Sequence, residues 1–132
     1  MNDPITELQA LVGMEWGPGP WLELTAARSA SFARALDCEP AGIEPLQLLS
    51  LLPALLAKVE LPVSSPRLTV NYGLDRMECS RVPVVGEKVR GRLRVTAVTV
   101  VAGGAQLQRE AIIDDEAGNQ VLQAHTLTRW LY

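Results

Sequence analysis

Ile43-Glu44-Pro45-Leu46-Gln47-Leu48-Leu49-Ser50-Leu51-Leu52-Pro53-Ala54-Leu55-Leu56-Ala57-Lys58-Val59 is the stretch that decides the fold. Its leucines fall at every angular position of a helix instead of along one stripe, so a helix built from them has to be enclosed. A bilayer is excluded as the enclosure, because spanning one takes about 20 apolar residues and this run is bounded by Glu44 and Glu60. The spacing therefore predicts a core helix over 43–59. Pro53 has no amide hydrogen, and is expected to bend that helix or to mark the start of its better-formed half.

Upstream, Ile5, Leu8, Leu11 and Val12 have the spacing of a short amphipathic helix that ends at Gly13. Gly17-Pro18-Gly19-Pro20 is a turn or an extended segment between Met14-Glu15-Trp16 and Trp21-Leu22-Glu23-Leu24. Thr25 is placed to N-cap a helix over 26–36, with Phe32, Ala33 and Leu36 as its apolar edge. Asp37 to Gly42 then links this helix to the leucine-rich one.

Downstream the period changes from helical to alternating. Arg67 to Tyr72 reads as a strand, Gly73 interrupts it, and Leu74 to Val84 continues as an edge strand or extended arm in which Pro83 denies ladder pairing. Glu87 to Val101 is the clearest strand. Val89, Leu93, Val95 and Ala97 fall on one face, and Lys88, Arg90, Arg92, Arg94 and Thr96 on a solvated one. Ala102-Gly103-Gly104 reverses the chain into Gln106 to Asp114, where Glu110 is placed to pair with one of those arginines. Gly118-Asn119 turns it again into Gln120 to Tyr132.

A helix-rich half followed by an antiparallel meander is an α+β pattern in one domain over 1–132. A strongly twisted sheet wrapped round a long central helix is the hotdog fold. A single such sheet leaves long open edges, so edge-to-edge pairing in a dimer is expected, with the ligand in the cleft so enclosed.

Composition limits the function classes. The chain has 132 residues, 48% hydrophobic and 20% charged, which excludes a disordered polymer. Its net charge of −3 argues against nucleic acid as a partner. Two cysteines, Cys38 and Cys79, and one histidine, His125, are too few for a disulfide framework or a multi-histidine metal site. No cofactor and no membrane partner is expected. Met1-Asn2-Asp3-Pro4 lacks the basic start and apolar run of a signal peptide, so a cytoplasmic location is expected.

Four stretches carry a resemblance: Leu49 to Leu56, Val70-Asn71-Tyr72-Gly73-Leu74-Asp75-Arg76, Val84-Val85-Gly86-Glu87-Lys88-Val89-Arg90, and Thr126-Leu127-Thr128-Arg129-Trp130. From about Leu11 to Tyr132 the chain resembles the MaoC-like dehydratases and (R)-specific enoyl-CoA hydratases, in particular the branch similar to nodulation protein N. That resemblance implies a hotdog homodimer, or a heterodimer with another hotdog subunit, acting on an acyl group carried by coenzyme A or a carrier protein. It also implies a loop Asp and His that move water's protons, and a helix-entrance Gly and backbone amide that hold the thioester oxygen. In this chain the loop is short. Asp37 or Cys38 falls where the Asp belongs, nothing downstream can serve as the loop His, and the helix entrance reads Glu44-Pro45, where proline has no amide hydrogen to offer.

The candidate catalytic residues are therefore Asp37, Glu39, Glu44 and His125. The three carboxylates either complement the helix dipole or supply a general acid or base. His125 is either a strand histidine satisfied by its neighbours or a proton carrier. Cys38 is expected to be a small buried residue. Substrate-binding candidates are Ser50 on the leucine-rich stretch and Asn71, Tyr72 and Arg76 in the motif that carries the resemblance. Three functions compete. One is an enzyme that has lost hydration and works on an acyl-thioester or polyketide-like substrate by cyclisation, isomerisation or dehydration-type chemistry. Another is a catalytically silent subunit of a heteromeric dehydratase. The third is a hydratase with a rearranged site.

Overall fold

The leucine-rich stretch does not form one helix. In the computed structural model, which describes residues 3–132, it forms α3 (Pro45–Ser50) and α4 (Leu52–Leu56), parted at Leu51. Pro53 is the physical reason, because it has no N–H to donate to the carbonyl of Leu49 and its ring crowds that carbonyl. Hydrogen bonds on either side survive, from Leu51 N to Gln47 O and from Leu55 N to Leu51 O. Enclosure is also partial. Ile43, Leu48, Leu52 and Leu55 are buried, whereas Leu46 is 59% exposed and Leu49, Leu51 and Leu56 are half-buried.

The remaining elements are α1 (Pro4–Gln9), β1 (Glu15–Trp16), β2 (Leu22–Glu23), α2 (Ala26–Ala35), β3 (Leu68–Cys79), β4 (Lys88–Val101), β5 (Gly104–Asp115) and β6 (Gln120–Leu131). They make a six-stranded antiparallel sheet in which β1 and β2 share the outer edge of β4 and the order continues β4-β5-β6-β3. The meander is extended by β3, an edge strand that pairs only with β6 and carries bulges near Tyr72 and Asp75.

The helix-facing side of the sheet and α4 meet at Gly91. A Cβ there would lie 3.1 Å from Leu55 Cβ and 3.2 Å from Leu56 Cδ2, tighter than ordinary contact, so glycine lets helix and strand approach closely without displacing either leucine. One core cluster joins α3 and α4 to Leu24, Val89, Ile113, Leu122 and Ala124. A second sets Leu8 and Leu11 against Leu93, Val95, Ala105 and Leu107. Val12, expected on the buried side of α1, is exposed, and so is Leu36 at the end of α2. In β4 a bulge at Thr96 shifts the phase, so Val98 joins the core in place of Ala97.

Arginines of β4 are less free than a solvated face implies. Arg92 pairs with Glu15 and, at 2.7 Å, with Asp114. Arg90 stacks on Trp21 at 4.3 Å. Glu110 lies in register with Arg94, but the cross-strand ion pair is made by Asp114 instead. Among the described residues no helix is long and apolar enough to cross a membrane.

Candidate functional site

α3 and α4 cover only part of the sheet, and where they stop a cavity of about 480 Å³ opens. Its helix wall is Leu49, Ser50, Leu52, Pro53 and Leu56; its sheet wall is Asn71, Gly73 and Leu74 of β3, Arg109 and Ala111 of β5, and Thr126 and Leu127 of β6. Volume and lining match a ligand site, which is usually about 300–1,000 Å³, largely apolar and set with a few polar groups. The polar groups here are Ser50, Asn71, Thr126 and Arg109.

Arg109 is the residue that sequence reasoning missed. It stands on β5 in the phase of Ala105, Leu107, Ala111 and Ile113, all of them buried, so its side chain enters the helix-facing side of the sheet. Its Nε is cut off from solvent and has no hydrogen-bond partner, and the guanidinium makes no ion pair among the described residues. Burial alone pulls its pKa below the ordinary arginine value, although a guanidinium stays charged in any case. The signal was present in the sequence: a cation in the apolar phase of an otherwise regular alternation.

Of the expected substrate-binding residues, Ser50 and Asn71 meet on the walls of this cavity. Ser50 Oγ donates at 2.6 Å to the carbonyl of Gln47, which fixes its hydroxyl on the helix. Tyr72 lies beside Asn71 but is taken up elsewhere, under the guanidinium of Arg129 at 3.7 Å. Arg76 pairs with Glu78 along the exposed edge strand.

His125 does not line the cavity. It is half-buried in β6, in register between Arg76 and Glu110, and its neighbour Thr126 forms the wall instead. Asp37, Glu39 and Glu44 are exposed and none lines the cavity. Asp37 takes a left-handed φ of 57° immediately after α2. There Asp37 N donates to Arg34 O and Cys38 N to Ala33 O, a Schellman closure of the helix. Glu44 holds the N-cap position of α3, but its side chain makes no capping bond. Cys38, expected to be buried, is exposed. Among the described residues no cluster of His, Cys, Asp and Glu is placed to hold a metal.

No protein-family model matches this sequence, and no curated protein matches it. Solved structures do match. The chain is similar to a MaoC-like dehydratase from Rhodospirillum rubrum, with a TM-score of 0.73 and 14% identity over 91% of this chain and 92% of that one. It is similar to the HadBC (3R)-hydroxyacyl-ACP dehydratase complex from Mycobacterium tuberculosis, with a TM-score of 0.69 and 17% identity over 90% and 96%. The (R)-hydratase PhaJ1 from Pseudomonas aeruginosa gives 0.68 and 16% over 98% and 86%. At these identities the likeness establishes the fold, the hotdog arrangement of an antiparallel sheet against short helices.

Proposed function

We propose that this hotdog chain is an enzyme acting on an acyl-thioester or polyketide-like substrate in the cavity between α3, α4 and the sheet, by chemistry other than Asp/His hydration. One observation carries the reading. The cavity has the apolar walls and sparse polar groups of a ligand site, yet its lining contains neither a carboxylate nor a histidine. Without those groups the walls act by holding a reactive conformer and by hydrogen-bonding developing charge, which suits cyclisation, isomerisation or dehydration of a substrate that is already activated. Asn71 is the neutral donor available for that task, because the hydroxyls of Ser50 and Thr126 already donate to the carbonyls of Gln47 and Arg109.

A second subunit belongs to this reading. β3 forms one wall of the cavity and is also the open edge of the sheet, with Leu68, Val70, Tyr72 and Leu74 exposed along it. A second hotdog subunit added at that edge would cover these side chains and close the cavity mouth. The purified protein, incubated with a panel of acyl thioesters and linear polyketide-like substrates, is expected to turn over at least one of them. Asn71→Ala should lower kcat by about 10-fold or more, as losing an oriented hydrogen bond to developing charge does. Asp37→Asn, Glu39→Gln and Glu44→Gln should leave the rate unchanged. Turnover that survives Asn71→Ala but collapses with one of the three carboxylates moves the site to the α2–α3 link and rejects this placement.

The open β3 edge also favours a second reading, a silent subunit that lends a wall to a sibling carrying an intact Asp and His, in keeping with the HadBC dehydratase being a complex. In that case the isolated chain is inactive on every substrate and activity appears only on co-expression with the sibling. Hydration of a crotonyl thioester by the chain alone would instead select a rearranged hydratase.

A further inference from the structure

Arg109 is a half-buried cation whose Nε is shut off from solvent. It projects into a cavity whose other walls are mainly leucine, proline, alanine and glycine, without an ion-pair partner among the described residues and with its Nε unsatisfied. A leucine or valine would continue the buried phase of β5 at this position and would fold more cheaply. Stability therefore does not account for an arginine there. A ligand does, provided that it brings one negative charge into the cavity and leaves the rest of itself on apolar walls.

We infer that the cavity takes an apolar ligand bearing a single carboxylate, and that the Arg109 guanidinium receives that carboxylate while the α3–α4 leucines hold the hydrocarbon. The planar fork of arginine matches a carboxylate's two oxygens, and the Asn71 amide stands in the same lining to donate to a remaining lone pair. Charge count separates the carboxylate from a phosphate: one cation neutralises one carboxylate, whereas a phosphate dianion would keep an uncompensated charge among leucines. The inference rests on this cavity being the ligand site, and it adds the substrate class, an acyl or polyketide-like chain with a carboxylate at the end opposite its reacting group.

Binding of decanoate, decanol and decyl phosphate to the full chain tests this without any turnover, by calorimetry or thermal shift. The unaltered protein is expected to bind decanoate at least 10-fold more tightly than decanol, and more tightly than decyl phosphate. Arg109→Gln should abolish that preference, leave decanol binding in place, and melt at a higher temperature than the parent when no ligand is present. Equal affinity for decanoate and decanol overturns the inference, and this arm stands even if the variant fails to fold. Preference for decyl phosphate overturns the carboxylate assignment. Dissociation of an unliganded dimer on Arg109→Gln also overturns it, because the guanidinium would then serve a partner's carboxylate. A protein that prefers decanoate but turns over no thioester keeps the carboxylate site and loses the enzyme reading; turnover without charge preference does the reverse.

Discussion

At the scale of single residues, position within a pattern matters more than residue type. Arg92 and Arg94 lie in the outward phase of β4, paired and exposed, and Arg90 beside them stacks on Trp21 although its Nε lacks a partner, whereas Arg109 lies in the inward phase of β5 with neither an ion pair nor an aromatic stack among the described residues. The alternation Ala105, Leu107, Arg109, Ala111, Ile113 was legible in the sequence. That the phase led into a cavity was not, since a strand's sequence gives its two faces but not what covers them. Gly91 shows the same dependence. In the sequence it is one glycine in a strand; in the fold it admits Leu55 and Leu56 to van der Waals contact with β4. Gly91→Ala is expected to displace the leucines of α4 by a few tenths of an ångström and cost about 1 kcal/mol. Thermal denaturation checks this through a melting temperature lower by several degrees, with the far-ultraviolet spectrum unchanged.

At the scale of elements, local chemistry settled the ends and tertiary context settled the middles. Thr25 caps α2 by accepting from Arg28 N at 3.1 Å, as its place before an alanine-rich run implied. Pro53 divides α3 from α4 by the mechanism that gave the expectation of a bend. The arm after β3 could not be foreseen in detail, because Arg81 fastens it both to a near residue and to one far along the chain. Arg81 pairs with Glu87 at 2.9 Å just before β4 and with Asp115 at 2.7 Å at the end of β5. Both carboxyls are thereby held below their ordinary range, Glu87 chiefly by the hydrogen bond from Arg81 and Asp115 first by the backbone N–H of Asn119 and then by Arg81. Because the folded values lie below the unfolded ones, this stabilisation is complete only above the unfolded values, from about pH 5.5 upward, and is lost progressively as the pH falls through them to the folded values. The melting temperature should therefore be flat from about pH 7 to 5.5 with respect to these groups and fall progressively below about pH 5. Arg81→Ala should lower it by a few degrees at pH 6 and shrink the drop between pH 6 and pH 3.5.

At the scale of the whole molecule, the unfinished surface is informative. The outer side of α3 leaves Leu46 in solvent, and the β3 edge leaves Leu68, Val70, Tyr72 and Leu74 there. An apolar edge strand with free backbone donors and acceptors is a pairing site. Light scattering at micromolar concentration should give twice the chain mass, or a mass that requires a sibling subunit. Val70→Lys, outside the cavity lining, should return the chain to a monomer by placing a charge on the pairing edge. By itself the sequence determined the periods of the elements, their order, and hence the wrapping of a sheet about a leucine-rich core, because periodicity and turn chemistry act between near neighbours. Only the tertiary structure decided where the helices stop covering the sheet, which polar side chains share the gap so formed, and that Asp37, Glu39, Glu44 and His125 stand outside it. Those facts depend on contacts between residues dozens of positions apart, and no local pattern encodes them.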